Sequence, residues 1–368
     1  GGDGSGHEPE KWGDHNVDEW EDIGIFEKDE AIAFSDAGIS PTEAAEWRKH
    51  NFNNYNDFDE YHKEGLTPEE AEKWFDAGIY LDDFKTYYLE GIDVKEATLW
   101  NNQGIRPNNA LLYLAMDIDD PAVASKWEKE FSMFEIQTYN GAGIKDPTEA
   151  LKWKNSGFTS TQVLDYSNAG INNLDQAKEW TDAGIDGEEA SKYSRAGIKD
   201  LDQAKEWDKG GFNGNDALLY SNAGITELEE AKTWAAEGFS SAEAYEYYYK
   251  GDIDDPLEAS KWKNNNINGN DAGIYRGLSL TVENAIQWKA VGITGEMATA
   301  YKGIGANSLS QALKLKEKGI SRAKANELSA QGIKTVDQAI AVKDATWNPS
   351  EKAWYDDASG KKLNIPGI

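Results

Sequence analysis

An aromatic side chain recurs every 13 or 14 positions along most of this chain. One series consists of tryptophans 26 to 28 residues apart: Trp20, Trp47, Trp74, Trp100, Trp127, Trp153, Trp180, Trp207, Trp234, Trp262 and Trp288. A second series lies halfway between them: Phe34, Tyr61, Tyr87, Tyr113, Tyr139, Tyr166, Tyr193, Tyr220, Tyr248, Tyr275 and Tyr301. The spacing continues without aromatics at Leu315, Leu328 and Val342. Such a short, fixed period predicts a tandem-repeat fold.

Each period has the apolar pattern of one short helix. Between Asn173 and Ile185, the residues Ala177, Trp180 and Ala183 lie three apart, which places them on one helical face. A helix of about ten residues is marginal when isolated in water, so packing against neighbours must stabilise it. Small alanines allow a neighbouring helix to approach closely, and the tryptophan fills the space between them. Two consecutive helices therefore form a hairpin of about 27 residues, and successive hairpins stack.

Start signals precede each predicted helix. Asn173 can cap the N-terminus, and Gln176 three residues later would complete a capping box. The same box is predicted at Ser40/Glu43, Thr67/Glu70, Asp93/Glu96, Asp146/Glu149, Asp200/Gln203, Asp255/Glu258 and Thr335/Gln338. Proline has no backbone N–H, but the first turn of a helix does not need one. It follows the cap at Pro41, Pro68, Pro121, Pro147 and Pro256.

Stop signals are equally regular. Gly184 followed by Ile185 predicts a left-handed residue and an apolar residue that folds back on the last turn. The pair recurs at Gly78/Ile79, Gly157/Phe158, Gly197/Ile198, Gly238/Phe239 and Gly332/Ile333. Where glycine is missing, residues that tolerate this backbone region stand in its place: Asn51, Asp117, Asp252 and Asn266. The pattern is interrupted at 128–133, where no glycine stop occurs, and it looks irregular at 304–308.

These signals predict an all-α fold, a right-handed-type α-solenoid of about a dozen tandem hairpins built from helix units of 13 or 14 residues. The repeat is expected to occupy residues 17–345, between a polar N-terminal segment, 1–16, and a non-repeat C-terminal segment, 346–368. Terminal segments that differ from the repeat are expected to cover the end hairpins. The chain resembles the broad class of α-solenoid helical-hairpin repeat proteins. Its units are similar to the short EAxxW…GI/GF repeats of bacterial proteins, a resemblance that implies the fold and no activity.

Composition narrows the classes of partner. The 368 residues include 37 basic and 67 acidic side chains, a formal net charge of −30, which disfavours nucleic acids and anionic membranes. The 14 tryptophans and 17 tyrosines favour a folded chain over a disordered one. With no cysteine, disulfides and thiolate metal sites are excluded. No apolar run reaches the length of a membrane-spanning helix, and an extracellular or cell-surface bacterial location is favoured over the cytoplasm.

The tyrosines provide the candidate binding patch. Most tryptophans and tyrosines of the two series are expected in the core, with a stacking surface for sugars or peptides as the alternative. Extra tyrosines exceed what one apolar stripe can bury. The predicted patch comprises Tyr245, Tyr247, Tyr248, Tyr249, Tyr87 and Tyr88.

Acidic turns and histidines are the remaining candidates for chemistry. The turns that begin at Asp117, Asp186 and Asp252 are candidate calcium-binding sites, but none has the spacing of an EF-hand loop. Acidic residues at helix starts are also favoured by the helix dipole, so calcium binding is not the favoured reading. The four histidines show no metal-ligand spacing and are expected at the surface: His7, His15, His50 and His62. No cofactor-binding motif is recognised.

No constellation of catalytic residues stands out, and the chain is expected not to be an enzyme. The leading expectation is a binding scaffold with an acidic, extended surface for a protein or another extended partner. The alternative is a structural surface protein or filament former, whose non-repeat ends join copies head to tail. An acidic mimic of nucleic acid is a third and weaker reading.

Overall fold

The computed structural model describes residues 8–368, so His7 and the first part of the predicted N-terminal segment lie outside the described residues. The chain forms two compact units, residues 1–164 and 165–368, whose division falls inside one helix. Apart from two small strand pairs, the described residues are helices and turns. The predicted all-α, solenoid-like repeat of helical hairpins is confirmed within each unit.

Unit 1 opens with a two-residue strand pair, Lys11–Trp12 (β1) and His15–Asn16 (β2). Its helices are α1 Val17–Glu21, α2 Lys28–Asp36, α3 Pro41–Lys49, α4 Tyr55–Lys63, α5 Pro68–Asp76, α6 Leu81–Leu89, α7 Val94–Asn102, α8 Pro107–Ala115, α9 Pro121–Glu130, α10 Met133–Gly141 and α11 Pro147–Asn155. Helix α12, Ser160–Asn168, contains the division between the units.

Unit 2 continues the same repeat. Its helices are α13 Leu174–Asp182, α14 Gly187–Arg195, α15 Leu201–Lys209, α16 Gly214–Ala223, α17 Leu228–Ala236, α18 Ser241–Tyr245, α19 Pro256–Asn264, α20 Gly269–Gly277, α21 Val282–Ala290, α22 Gly295–Gly303, α23 Leu309–Glu317, α24 Arg322–Ala330 and α25 Val336–Val342. A π-helical turn, Glu246–Lys250, extends α18. Two antiparallel strands follow the repeat, β3 Ala345–Asn348 and β4 Ala353–Asp356.

The predicted helix stops are confirmed. Gly184 has φ +80°, and the amide of Ile185 donates to the carbonyl oxygen of Trp180 at 3.0 Å. The substitutes for glycine also adopt positive φ: Asn51, Asp117, Asp252 and Asn266. Most repeats therefore end by the same fold-back, in which the amide five positions after the aromatic donates to the aromatic's carbonyl oxygen.

The predicted helix starts are only partly right. Every cap residue among the predicted boxes accepts a backbone N–H. The return bond, in which the cap amide would donate to the Glu or Gln side chain, is missing. At Asp146, Asp200 and Asp255 the carboxylate bonds the second helical residue instead of the third. Their ψ angles of 113–132° direct the carboxylate to that earlier amide, whereas Ser40 at ψ 163° reaches the third. Complete boxes form at Ser132/Glu135, Asn213/Asp216 and Ser240/Glu243.

Both aromatic series form the core. Every tryptophan of the first series is at most 7% exposed, as Trp288 is. The tyrosines of the second series add a polar link between helices. Several of their hydroxyls donate to the backbone carbonyl oxygen of the apolar residue that follows the next helix. Tyr61 bonds the carbonyl oxygen of Ile79 at 2.6 Å, and Tyr193 bonds that of Phe212 at 2.6 Å. The buried hydroxyl therefore ties consecutive helices together, as buried polar groups usually are tied.

A second link joins equivalent helices of neighbouring hairpins. The residue after the aromatic is often cationic or amidic, and it donates to carbonyl groups at the end of the previous equivalent helix. Lys263 donates to the carbonyl oxygen of Gly238 at 2.9 Å, and Asn101 donates to that of Ala77 at 2.9 Å. A cation at a helix C-terminus also offsets the helix dipole. These bonds stabilise hairpin stacking in addition to the apolar core.

The assignment of Tyr248 to the second aromatic series is wrong by one residue. Tyr247, 3% exposed, takes the core position, and its hydroxyl donates to Ile267 at 2.6 Å. This repeat carries one extra residue, which the π-helical turn absorbs: the amide of Gly251 bonds the carbonyl of Glu246, five residues back, at 3.0 Å. Sequence spacing alone does not locate such an insertion.

The π-helical turn packs tightly against α20. A Cβ added to Gly269 would lie 2.6 Å from the carbonyl oxygen of Glu246, and one added to Gly273 would lie 2.5 Å from that of Lys250. Only glycine allows the two backbones this approach. The two irregularities expected from sequence have different outcomes. The first is real, since Phe131 ends α9 in an extended conformation, but Gly305 forms an ordinary left-handed stop at φ +95°.

Both described ends of the repeat are covered by strand pairs. At the N-terminal end, the indole N–H of Trp20 donates to the carbonyl oxygen of Trp12 at 3.1 Å. At the C-terminal end, Trp354 on β4 is 2% exposed and lies 5.3 Å from Trp347 between ring centroids. These contacts bury apolar surface that the last hairpins would otherwise expose.

Candidate functional site

The repeat creates grooves at one recurring position. Three cavities each combine a buried tryptophan with the side chain fourteen residues later, which directly follows the tyrosine of the next helix. The three pairs are Trp74 with Tyr88, Trp262 with Arg276, and Trp288 with Lys302. The walls are fixed by the core, because each tryptophan is buried. The residue after the tyrosine differs among the three grooves, and so do the residues that surround it.

One of these grooves, called here the charged groove, has a volume of about 720 Å³ and lies in unit 2 between Gly251 and Glu283. It is built from the end of the π-helical turn, helix α19, the end of α20 and the start of α21. Four carboxylates line it, from Asp252, Asp255, Glu258 and Glu283. Lys261 and Arg276 supply the two cations.

Arg276 is engaged by its own unit. Its guanidinium donates to the backbone carbonyls of Gly251, at 3.2 Å, and of Asp252. Its Nε lies 3.1 Å from the carboxylate of Glu258. Because Arg276 and Glu258 neutralise each other, the groove keeps three carboxylates against the single ammonium of Lys261. All four of these remaining charged residues are exposed, and the groove favours a cation.

The next groove along unit 2, called here the apolar groove, has a volume of about 170 Å³. Its lining is Leu278, Ser279, Leu280, Trp288, Ala298, Lys302, Ala306 and Asn307. No carboxylate is among them, and most of the lining side chains are apolar. Leu280 also lines the charged groove, so the two grooves share a wall.

Unit 1 contains a third groove of about 560 Å³ at the same repeat position. Tyr88, 37% exposed, lines it together with Trp74 and Ile92. Glu70 and Lys73 add one charge of each sign. Tyr88 was selected from the sequence as a candidate binding residue, and the structure places its partly exposed ring in the wall of this groove.

Two tyrosines of the predicted patch do not reach the surface. Tyr87 is 1% and Tyr247 is 3% exposed, because both occupy the core position of their helices. Burial raises the pKa of each phenol to about 12. The structure therefore corrects their inclusion in a binding patch, since a partner cannot touch them without unfolding the repeat.

The other tyrosines of the cluster lie outside the core. Tyr245 and Tyr249 stack on each other at 5.3 Å between centroids, and Tyr249 is 61% exposed. Tyr248 is half-buried, with its ring 6.1 Å from that of Trp234. Tyr245, half-buried at the end of α18, and Tyr249, exposed on the π-helical turn, thus form one stacked aromatic pair, while Tyr248 packs towards the core.

The acidic turns are explained by helix boundaries. In the third turn, Asp252 occupies the left-handed stop at φ +51°, and Asp255 caps α19 by accepting the amide of Leu257 at 2.9 Å. Asp117 and Asp120 play the same two roles before α9. Among residues 8–368, no cluster of three or more metal-ligating side chains occurs.

The described histidines pair with carboxylates. His50 Nδ1 lies 2.5 Å from Glu72, and His62 Nε2 lies 3.3 Å from Glu43. His15 Nδ1 lies 3.6 Å from Glu19. These contacts account for the described histidines without a metal.

Sequence reasoning missed Arg276, Lys302 and Gly277. A signal for the first two was present, because the residue after the tyrosine varies in type along the second series, from Tyr88 to Ser194 to Arg276. Gly277 gave no signal among the many glycines of the helix stops. The structure places it on the exposed wall of the charged groove, with no atom within 4 Å of an added Cβ.

None of the helices in residues 8–368 has the length and apolar character needed to cross a bilayer. Neither models of known protein families nor the curated proteins compared with this chain give a match. The chain is a helical-hairpin repeat protein by its own architecture.

Proposed function

We propose that this chain is a binding scaffold whose hairpin grooves hold an extended, basic polypeptide. The single observation that carries the proposal is the recurrence of a groove at the same repeat position, with the side chain after the tyrosine as its variable element. Grooves repeated along a stack of hairpins suit a chain that runs across several of them.

Charge supports a basic partner. The net charge of −30 attracts cations over the whole surface and speeds their encounter with it. The charged groove adds a local excess of three exposed carboxylates over one ammonium. Long-range attraction and local pairing thus favour the same class of ligand.

The covered ends support a scaffold over a filament former. Trp354 and Ala353 on β4 are buried, so these apolar side chains of the segment after the repeat are not available to join a second copy. A filament would need other contacts of the exposed strand edges.

Selection from a random peptide library displayed on phage tests the proposal. Immobilised protein should enrich peptides with net positive charge, and their affinity should fall as NaCl rises from about 0.05 M to about 0.5 M, because salt screens exposed charges. Enrichment of neutral or acidic peptides, or no enrichment, would overturn it. Light scattering against protein concentration is the companion experiment: a mass that grows with concentration would favour the structural, filament-forming alternative.

A further inference from the structure

The two grooves of unit 2 differ in the side chain that each can hold. The charged groove has exposed carboxylates on Asp252, Asp255 and Glu283, of which Asp255 also caps α19 through one oxygen. A lysine or arginine of a partner would find hydrogen-bond acceptors of opposite charge there. The apolar groove has a volume of about 170 Å³ and walls from Leu278, Leu280 and Ala306. Such a space suits one aliphatic side chain.

The spacing of the grooves can be compared with that of a peptide. They lie at equivalent positions of consecutive hairpins. Helix α20 lines the charged groove and α22 lines the apolar groove, and these two helices pack directly against each other. Packed helices lie about 8–10 Å apart. An extended chain in the polyproline II conformation advances about 3.1 Å per residue with three residues per turn. Side chains three positions apart therefore lie on the same face of such a chain, about 9 Å apart, which matches this interval.

Resting on the proposed function, we propose that these two grooves together recognise one motif: a basic residue and an aliphatic residue three positions apart in an extended polypeptide. A polyamine or an inorganic cation would satisfy the charged groove alone. A polypeptide satisfies both grooves, because it carries a cation and an aliphatic group at a fixed separation. Leu280, the shared wall, lies between the two bound side chains.

Gly277 provides a variant that blocks the charged groove while the fold is kept. It is exposed, has no atom within 4 Å of an added Cβ, and does not have the positive φ of the helix stops. Gly277→Leu therefore extends a side chain into the groove without a backbone clash. Gly141→Leu is the matched control, since Gly141 has the same position at the end of α10 and makes only an ordinary contact of 3.6 Å to Leu164.

Asn307→Phe serves the same purpose in the apolar groove. Asn307 is exposed and lines that groove. Its backbone amide donates to the side chain of Gln311, and the substitution retains that hydrogen bond. A third variant removes charge alone: Asp252→Asn with Asp255→Asn and Glu283→Gln. Asparagine preserves the left-handed stop and the helix cap at the two aspartates.

The experiment titrates the full chain into short capped peptides and follows ligand resonances by NMR, which detects weak binding. Each peptide carries one lysine and one leucine in a neutral background, placed either three positions apart or adjacent. We expect the spaced peptide to bind at least about threefold more tightly than the adjacent one. Gly277→Leu and the charge variant should each weaken it about tenfold, and Asn307→Phe should abolish the preference for spacing. Gly141→Leu should bind like the parent chain.

Two outcomes separate this inference from the proposed function. Equal affinity for both spacings, or binding that is unaffected by blocking either groove, would overturn the motif while a basic partner still stands. Failure of every lysine peptide to bind, together with failure of the library selection, would overturn the proposed function as well. Circular dichroism of each variant confirms that the helical content is unchanged.

Discussion

The hydroxyl of Tyr193 donates a hydrogen bond of 2.6 Å to the carbonyl oxygen of Phe212, nineteen residues further along the chain. Equivalent bonds of 2.6 to 3.0 Å occur at Tyr61, Tyr166, Tyr247, Tyr275 and Tyr301. The tyrosine series therefore does more than fill space. At these six positions the hydroxyl bonds the carbonyl that follows the next helix, a contact that phenylalanine could not make.

Tyr193→Phe should destabilise the chain by about 1 kcal/mol, because the carbonyl of Phe212 would lose its partner. Urea unfolding followed by circular dichroism gives the free energy of unfolding. Tyr87→Phe is the control, since the hydroxyl of Tyr87 is buried without a partner, and its removal should be neutral or stabilising. Equal losses in the two variants would refute the linking role of the hydroxyl.

Gly184→Val should reduce stability by about 1–3 kcal/mol through backbone strain alone. Gly184 has φ +80°, and an added Cβ would meet no atom within 4 Å, so steric overlap does not contribute. Gly184→Asn should be milder, because asparagine tolerates the left-handed region. Thermal unfolding compares the two, and the same loss for Val and Asn would show that the stop does not depend on its conformation.

Stability should fall steeply above pH 10. Burial raises the pKa of Tyr139, Tyr220 and Tyr275 to about 12, whereas tyrosine in an unfolded chain titrates near pH 10. Between these values the unfolded state loses protons that the folded state keeps, so unfolding becomes more favourable. The stabilisation is complete below pH 10 and is lost as the pH rises towards 12. Melting temperature against pH measures the fall, and Tyr220→Phe should make it shallower; an unchanged slope would contradict the burial of that phenol.

Calcium should stabilise the chain no more than monovalent salt of equal ionic strength. Asp252 and Asp255 already serve as a helix stop and a helix cap, and no ligand cluster occurs in the described residues. Millimolar calcium should therefore change the melting temperature only through screening. A larger rise that Asp254→Asn with Asp255→Asn removes would establish specific binding to the folded state.

Local signals account for most of the fold that sequence predicts. Glycine before an apolar residue, as at Gly184, is a backbone requirement, so it is visible wherever it occurs. The core position of Trp180 can be predicted equally well, because its helical face has no other large apolar residue. Tyr247 shows what sequence spacing does not predict. The one-residue insertion in its repeat shifts the core position because a π-helical turn absorbs the extra residue, and the glycines of α20 make room for that turn.

The grooves were beyond sequence reasoning for a similar reason. Arg276 approaches Glu258 and the carbonyl of Gly251 because hairpins stack, and these residues lie 18 and 25 positions away along the chain. A pattern within one helix carries no information on which side chains meet across the stack. Tyr88 was predicted as a binding residue only because it is an extra aromatic residue. The equivalent Lys302 is not aromatic and was not predicted.

Hydrogen exchange followed by mass spectrometry tests the central claim most directly, that a basic polypeptide lies along the grooves of the repeat. A lysine-rich peptide from the library selection is added at saturation, and exchange is compared with that of the free chain. We predict slower exchange at 251–255, 278–283 and 304–307, the segments that line the two grooves of unit 2. Protection confined to β3 and β4, or none at these segments despite binding, would contradict the account.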